Sequence, residues 1–247
     1  MCGLRRLWDL FLVYLVSLGL AHAVGRAAFY LLGVRTAFGI IRTVDLADLV
    51  LVLPVHVLAN AALIVHVVRQ GTEGRTLMIL LCSYGFLLMG ATMHAVANAI
   101  DTLALEVLRV EIEGGWAAVY ALWHLLDEHV GHFLYFTSLY SLLLCYASLE
   151  REQVFEARER KVSVLAGAVG GALMGVAFVE AQGAIYGVPL TLASIILKRR
   201  FVPDGRPMSL FISAFFKAVL VTLVAWYLCF GGFVQPSELY NRLIAGS

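Results

Sequence analysis

Charged residues are scarce in this chain of 247 residues. They make up 14% of the sequence, whereas hydrophobic residues make up 61% and the mean hydropathy is +0.87. Soluble domains carry about 25% charged residues, so this scarcity excludes an ordinary soluble fold. The composition predicts a multi-pass integral membrane protein, located in the plasma (inner) membrane if the source is prokaryotic.

Three further absences narrow the class of protein. The formal net charge is only +1 and no continuous basic patch occurs, so a nucleic-acid partner is not expected. The four cysteines show no Cys-x-x-Cys spacing and give no firm indication of a redox compartment. No linker, low-complexity tract or fixed-period repeat is present, so residues 1–247 are predicted to form a single transmembrane helical domain.

Long apolar runs are what the sequence has in abundance. A bilayer core of roughly 30 Å needs about 20 apolar residues per helix. The predicted fold is therefore an all-α transmembrane helical bundle of about seven spans, near 7–32, 45–68, 76–100, 116–148, 162–182, 184–198 and 208–232. The boundary between the fifth and sixth spans is marked only by Gln182-Gly183, Gly187 and Pro189, and merging them would leave six spans.

The distribution of charge predicts an orientation. With seven spans, one side collects Arg5, Arg6, Arg69, Arg75, Arg151, Arg158, Arg160, Lys161, Lys198, Arg199, Arg200 and Arg206. The other side carries Asp101, Glu106, Glu111 and Glu113, with Arg35, Arg42 and Arg109 as exceptions. Because basic residues concentrate on the inner side of membrane proteins, the N-terminus is predicted inside and the C-terminus outside.

Polar residues inside these spans identify a candidate site. The segment Trp123 to Phe133 packs three histidines and two carboxylates into a predicted span, where each ionisable group costs about 2.5 to 3.5 kcal/mol. Counting about 1.5 Å per residue from the inner ends places four groups at one level near the outer face, about 24 to 30 Å deep. These groups are His94, Glu128, His132 and Glu180, with His22 at a similar depth.

Helical phase gives each of these residues an expected role. His124, Glu128 and His132 share one face of span four, and His94 and Asn98 share one face of span three. His94, His132, Glu128 and Glu180 are the predicted metal ligands, and one of the two glutamates would act as general base while the other stays a ligand. Mixed imidazole and carboxylate ligands favour Zn²⁺ or non-haem iron. Asn98, His124, Asp127 and His129 would orient the ligands from a second layer.

The site predicts a metal-dependent intramembrane enzyme, hydrolase-like, that acts on a membrane lipid or another lipophilic small molecule. Two other interpretations fit the same residues. The cluster could be a solvent-exposed helix end whose charges pair with Arg35, Arg42 or Arg109, or it could form a proton or ion transport path. A haem between His94 and His132 would instead make the protein an electron carrier. The sequence is also compatible with a homo-oligomer.

Lys217 suggests a different class. It lies about ten residues into span seven, where burial of an unpaired, charged lysine in the bilayer costs free energy. That cost falls if the amine extends towards the inner interface. A lysine mid-way along the seventh of seven helices resembles the rhodopsins, and an inside N-terminus resembles their heliorhodopsin branch. That resemblance implies a retinal held as a Schiff base. Span three, however, has no acidic counterion at that depth.

The seven spans, with histidines and carboxylates at one level, also resemble the alkaline ceramidase and adiponectin-receptor superfamily. That resemblance implies a zinc-dependent hydrolase of lipid amides. The family places a serine four residues before a histidine on an early span and a His-x-x-x-His pair on the last span. Here Gly90 precedes His94 and span seven contains no histidine, so the family's catalytic residues are not transferred.

Overall fold

Helices account for almost all of the described chain. The computed structural model describes residues 7–27, 36–37, 41–72, 74–101, 114–151, 155–236 and 238–239. In these ranges the α-helices are α1 (Leu7–Arg26), α2 (Thr43–Ala47), α3 (Leu53–Arg69), α4 (Gly74–Asp101), α5 (Gly115–His124), α6 (His132–Leu149), α7 (Ala157–Glu180), α8 (Ala184–Phe201) and α9 (Pro207–Phe230). The predicted all-α class is confirmed.

Two wider, π-helical segments interrupt this pattern. Asp48–Val52 joins α2 to α3, and Leu125–Gly131 joins α5 to α6; the residues that flank both segments keep right-handed helical backbone angles. The described strands are two residues long: β1 (Thr36–Ala37) pairs antiparallel with β2 (Ile41–Arg42). A π turn bonds i to i+5 and adds a residue to the turn, so it changes which side chains share a face.

In the part of the chain that the structure describes, six continuous helical stretches are long and apolar enough to cross a membrane. They cover Leu7–Val24, Thr43–Arg69, Gly74–Ile100, Gly115–Leu149, Ala157–Glu180 and Pro207–Phe230. α8 corresponds to the predicted sixth span and is separate from α7, but it ends in the basic run Lys198-Arg199-Arg200 and is not among the six. The count of seven spans stays a prediction.

The predicted orientation also stays a prediction. It depends in part on Arg5, Arg6, Arg35, Glu106, Arg109, Glu111, Glu113 and the side chain of Asp101, which lie outside the described residues.

The chain divides into two compact units, and the boundary falls within α6 between Leu139 and Tyr140. In the first unit α1 packs against α3, while α4 packs against the second π-helical segment. Its core contains Trp8, Phe11 and Leu87, each with at most 1% of its surface exposed. No finding tests the predicted single domain, which therefore stays a prediction.

In the second unit α7 lies along α9. Gly167 and Gly171 face the backbone of α9 so closely that a Cβ atom on either would lie 2.2 Å from a carbonyl oxygen, that of Phe211 or Phe215. Small residues repeated every four positions allow such backbone contact between membrane helices. Tyr140 is buried in the core of this unit, and its hydroxyl lies 3.0 Å from Thr191 Oγ1.

Candidate functional site

A histidine and an aspartate from neighbouring helices form the centre of the candidate site. His94, on α4, has Nδ1 at 2.9 Å from Oδ1 of Asp127, which lies in the second π-helical segment. The Asn98 amide, one turn further along α4, lies 3.1 Å from His94 Nε2. One neutral tautomer satisfies both contacts: Nδ1–H donates to Asp127, and Nε2 accepts from Asn98. Asp127 is almost fully buried, with 2% of its surface exposed.

A second histidine stands against the first. The rings of His94 and His132 have centroids 4.4 Å apart, at an angle of 51°. His132 Nδ1 lies 3.2 Å from the backbone carbonyl oxygen of Glu128 and 3.6 Å from its Oε2. Donation from Nδ1–H to that carbonyl leaves Nε2 of His132 with a free lone pair. Histidines that bind metals are usually held by such a bond on the other ring nitrogen.

One carboxylate oxygen at the site is buried and lacks a hydrogen bond among the described residues. Oε2 of Glu128 makes no hydrogen bond among the described residues. An orphaned buried oxygen requires an explanation, and a bound cation or a proton-transfer role would each provide one.

Ligand atoms of His94, Asp127 and His132 all lie within 4.8 Å of one another. Two imidazoles and one carboxylate form the donor set that zinc hydrolases and non-haem iron enzymes use. Asp127, expected only to orient a ligand, therefore lies where it can be a ligand itself. The sequence carried no direct signal for this, because the π-helical segment that turns Asp127 towards His132 has no sequence signature of its own.

Two glycines bring the helices of the site together. A Cβ atom on Gly90 of α4 would lie 2.7 Å from the carbonyl oxygen of Gly131 and 2.6 Å from the backbone nitrogen of Tyr135. The backbone of α4 therefore contacts the backbone of Gly131 and Tyr135 at Gly90, which is four residues before His94. This contact sets the distance between α4 and the π-helical segment.

The remaining predicted residues are His124, His129 and Glu180. His124 ends α5, where its ring stacks on Tyr120 with centroids 6.0 Å apart, and His129 is exposed. Glu180 is exposed at the end of α7 in the second unit, and its carbonyl oxygen accepts a bond from Gln235 Nε2 at 2.7 Å. The parts assigned to these three residues in the site stay predictions.

Other polar residues in the first unit also have partners. His22 Nδ1 lies 3.7 Å from Asp48 Oδ1. Arg42, one of the cations expected to pair with the cluster, instead donates to Asp45 at 2.8 and 3.2 Å. Arg35 and Arg109 lie outside the described residues.

A buried chain of hydrogen bonds runs through His56, a residue that the sequence predicts to be a satisfied core histidine rather than a ligand. His56, on α3, is fully buried and bonds at both ring nitrogens: Nδ1 is 2.8 Å from the Tyr14 hydroxyl and Nε2 is 2.9 Å from the Tyr135 hydroxyl. This chain ties α1, α3 and α6 together. Tyr135 follows His132 by three residues, a spacing that places both on one side of α6.

These features define the class of protein as a multi-pass integral membrane protein of helical architecture, with a His/Asp group able to hold a metal ion. No protein-family model matches the chain, and neither the curated proteins nor the solved structures include a significant match.

Proposed function

We propose that this protein is an intramembrane enzyme, hydrolase-like, whose centre binds Zn²⁺ or non-haem iron through His94, His132 and Asp127. The observation that carries the proposal is the convergence of these three side chains within 4.8 Å. His132 Nδ1 donates to the Glu128 carbonyl oxygen, which leaves Nε2 as the nitrogen of that ring able to bind a metal.

Each residue then has a defined task. When bound, the metal supplies Lewis acidity that activates water near neutral pH. The contact between Asp127 and His94 would hold these two ligands side by side, and the bond to the Glu128 carbonyl oxygen would orient the ring of His132. Glu128 acts as general base, because its Oε2 is buried next to His132 and has no bond among the described residues that would block a proton.

The substrate class follows from the setting. The centre lies within two segments that are apolar enough to cross a membrane, so its substrate is a lipid or another membrane-soluble molecule. In a prokaryote the enzyme would belong to the plasma (inner) membrane.

Metal analysis by mass spectrometry tests this proposal. The protein is purified in detergent without chelator or histidine tag, and we expect about one equivalent of zinc or iron. His132→Ala and Asp127→Asn should lose the metal and keep the helical content seen by circular dichroism. His66→Ala and Lys217→Met, which change residues outside the cluster, should retain it. Metal that persists in both site variants would refute the proposed centre.

A second candidate is a metal-free acid–base pair or proton path. The 2.9 Å bond between Asp127 and His94 Nδ1 favours it, because a carboxylate in this position orients an imidazole and strengthens it as a base. A wild-type protein that contains no metal would favour this candidate.

The remaining alternatives have weaker support. The rings of His94 and His132 stand too close to hold a haem plane between them. Lys217 is exposed on α9 rather than enclosed in a pocket, unlike a lysine that holds retinal. A visible spectrum before and after the addition of retinal tests both.

A further inference from the structure

In the second unit, the end of α6 and the start of α9 cap each other. Glu150 is the first residue after α6 and after the spanning stretch that ends at Leu149. Its Oε2 accepts a hydrogen bond of 2.9 Å from the backbone N–H of Met208, in the first turn of α9. In return the guanidinium of Arg206, the residue before α9, donates to the backbone carbonyl oxygen of Glu150. We call these two bonds the reciprocal cap.

The start of α9 has no capping side chain of its own. The N-cap position favours Ser, Thr, Asp or Asn, but here it is Arg206, whose side chain makes no capping bond. Pro207 has no N–H, so the N–H of Met208 is the first backbone donor of α9 that needs a partner. A negative charge at this end of a helix is also favourable. Glu150 therefore supplies the acceptor that the local sequence lacks.

The other oxygen of the same carboxyl group is buried and lacks a hydrogen bond among the described residues. Only 3% of the surface of Glu150 is exposed, and its Oε1 makes no such bond. A buried, charged oxygen with no hydrogen bond costs more free energy than a neutral one. The closed cap therefore favours the protonated acid, whereas a carboxyl group in contact with water ionises more readily.

The charges around Glu150 oppose burial only in part. Burial raises the pKa of Glu150 to about 7 from 4.5, while the bond from Met208 and the charge of Arg206 lower it. Glu159, in the first turn of α7, raises the pKa further. Other charged residues that adjoin these segments in the chain are Arg151, Lys198 and Asp204. The cap therefore changes its protonation close to neutral pH.

We propose that the reciprocal cap is a pH-sensitive latch between α6 and α9, closed while Glu150 holds a proton and opened when that proton passes to water. Opening lets water reach the carboxylate and frees the N–H of Met208. The folded pKa is raised, so the stabilisation of the closed latch is complete below about pH 4.5 and is lost as the pH rises through 7. The latch needs no metal and goes beyond the proposed function.

Hydrogen–deuterium exchange on the full chain in detergent tests the latch. With pKa values of about 7 in the closed form and 4.5 in the open one, the opening constant should rise about twentyfold between pH 5.5 and 7.5. After correction for the intrinsic exchange rate, the protection of the Met208 amide should fall by that factor, in peptides that cover residues 206–212. Amides of residues 213–225 should keep their protection. Protection of Met208 that does not change with pH, or an equal loss along the whole of α9, would overturn the proposal.

Three variants show which group controls the latch. Glu150→Gln keeps the shape of the protonated acid and cannot ionise, so its protection at Met208 should not depend on pH. Asp204→Asn, the matched control, removes an exposed carboxylate and should show the same loss as the wild type. Arg206→Gln removes the cation that favours the charged form, so its loss of protection should move to higher pH. A wild-type loss in Glu150→Gln, or an unshifted loss in Arg206→Gln, would refute the latch.

Discussion

Replacing Gly90 with alanine should force the two sides of the candidate site apart. The new Cβ atom would lie 2.6 Å from the Tyr135 nitrogen, whereas ordinary van der Waals contact begins at 3.4 Å. Both close neighbours are backbone atoms, so a change of side-chain rotamer cannot relieve the clash. α4 must therefore move away from the π-helical segment by about 0.8 Å.

That movement has two measurable consequences. Overpacking of this kind costs about 1 to 3 kcal/mol of unfolding free energy. A rigid shift of α4 would also lengthen the 2.9 Å contact between His94 and Asp127 towards about 3.7 Å, beyond hydrogen-bonding distance. Gly90→Ala should then melt at a lower temperature by circular dichroism and bind metal more weakly.

Gly85→Ala provides the matched control on the same helix. A Cβ atom on Gly85 would meet nothing within 4 Å, so the substitution should be neutral or should stabilise the helix by up to about 1 kcal/mol. If the two variants melt together and bind metal equally, the close contact at Gly90 does not position the site.

Three further predictions concern stability. Tyr135→Phe removes the partner of His56 Nε2 and should destabilise the protein by about 1 to 3 kcal/mol in thermal unfolding, whereas a smaller loss would mean that His56 finds another partner. Gly171→Ala should separate α7 from α9 and lower the melting temperature, while Gly170→Ala, whose Cβ would meet only ordinary contacts from 3.6 Å, should not. Burial raises the pKa of Glu150 to about 7 from 4.5, against the opposing effect of its bond from the Met208 N–H. Because the folded pKa is raised, the contribution of Glu150 to stability is full below about pH 4.5 and is lost as the pH rises through 7, by at most about 3 kcal/mol. Glu150→Gln should flatten the pH dependence of the melting temperature over that range, and an unchanged slope would contradict the shift.

Much of the fold follows from periodicity and composition. Apolar runs locate the helices, and the glycines at positions 167, 171 and 175 repeat every four residues along the face of α7 that contacts α9. The separation of α7 from α8 depends on three residues, Ala181–Gly183, where the chain turns. Hydropathy detects such a short break poorly, because the flanking residues are apolar.

The site could be predicted only in part, because its helix is not regular. Depth along the spans places His94 and His132 at one level, and their rings stand 4.4 Å apart. The predicted stripe of residues four apart assumes an α-helix throughout, but the chain between Leu125 and Gly131 is π-helical. The π-helical turn changes the direction of the side chains in this segment, and Asp127, which lies in it, reaches His94 Nδ1 at 2.9 Å. Asp127 therefore lies beside His94, while Glu128, which the α-helical count favours, keeps its contact with His132 at 3.6 Å.

The buried bonds of His56 constrain how the first unit is assembled during synthesis. Tyr14 and His56 enter the membrane in early helices, but Tyr135 is made 79 residues after His56. Until α6 is inserted, one nitrogen of a buried imidazole lacks its final partner in a medium that offers few others. The early helices therefore complete their packing only when the later one arrives, so a ribosome stalled before α6 would leave an incomplete, degradation-prone intermediate in the bilayer.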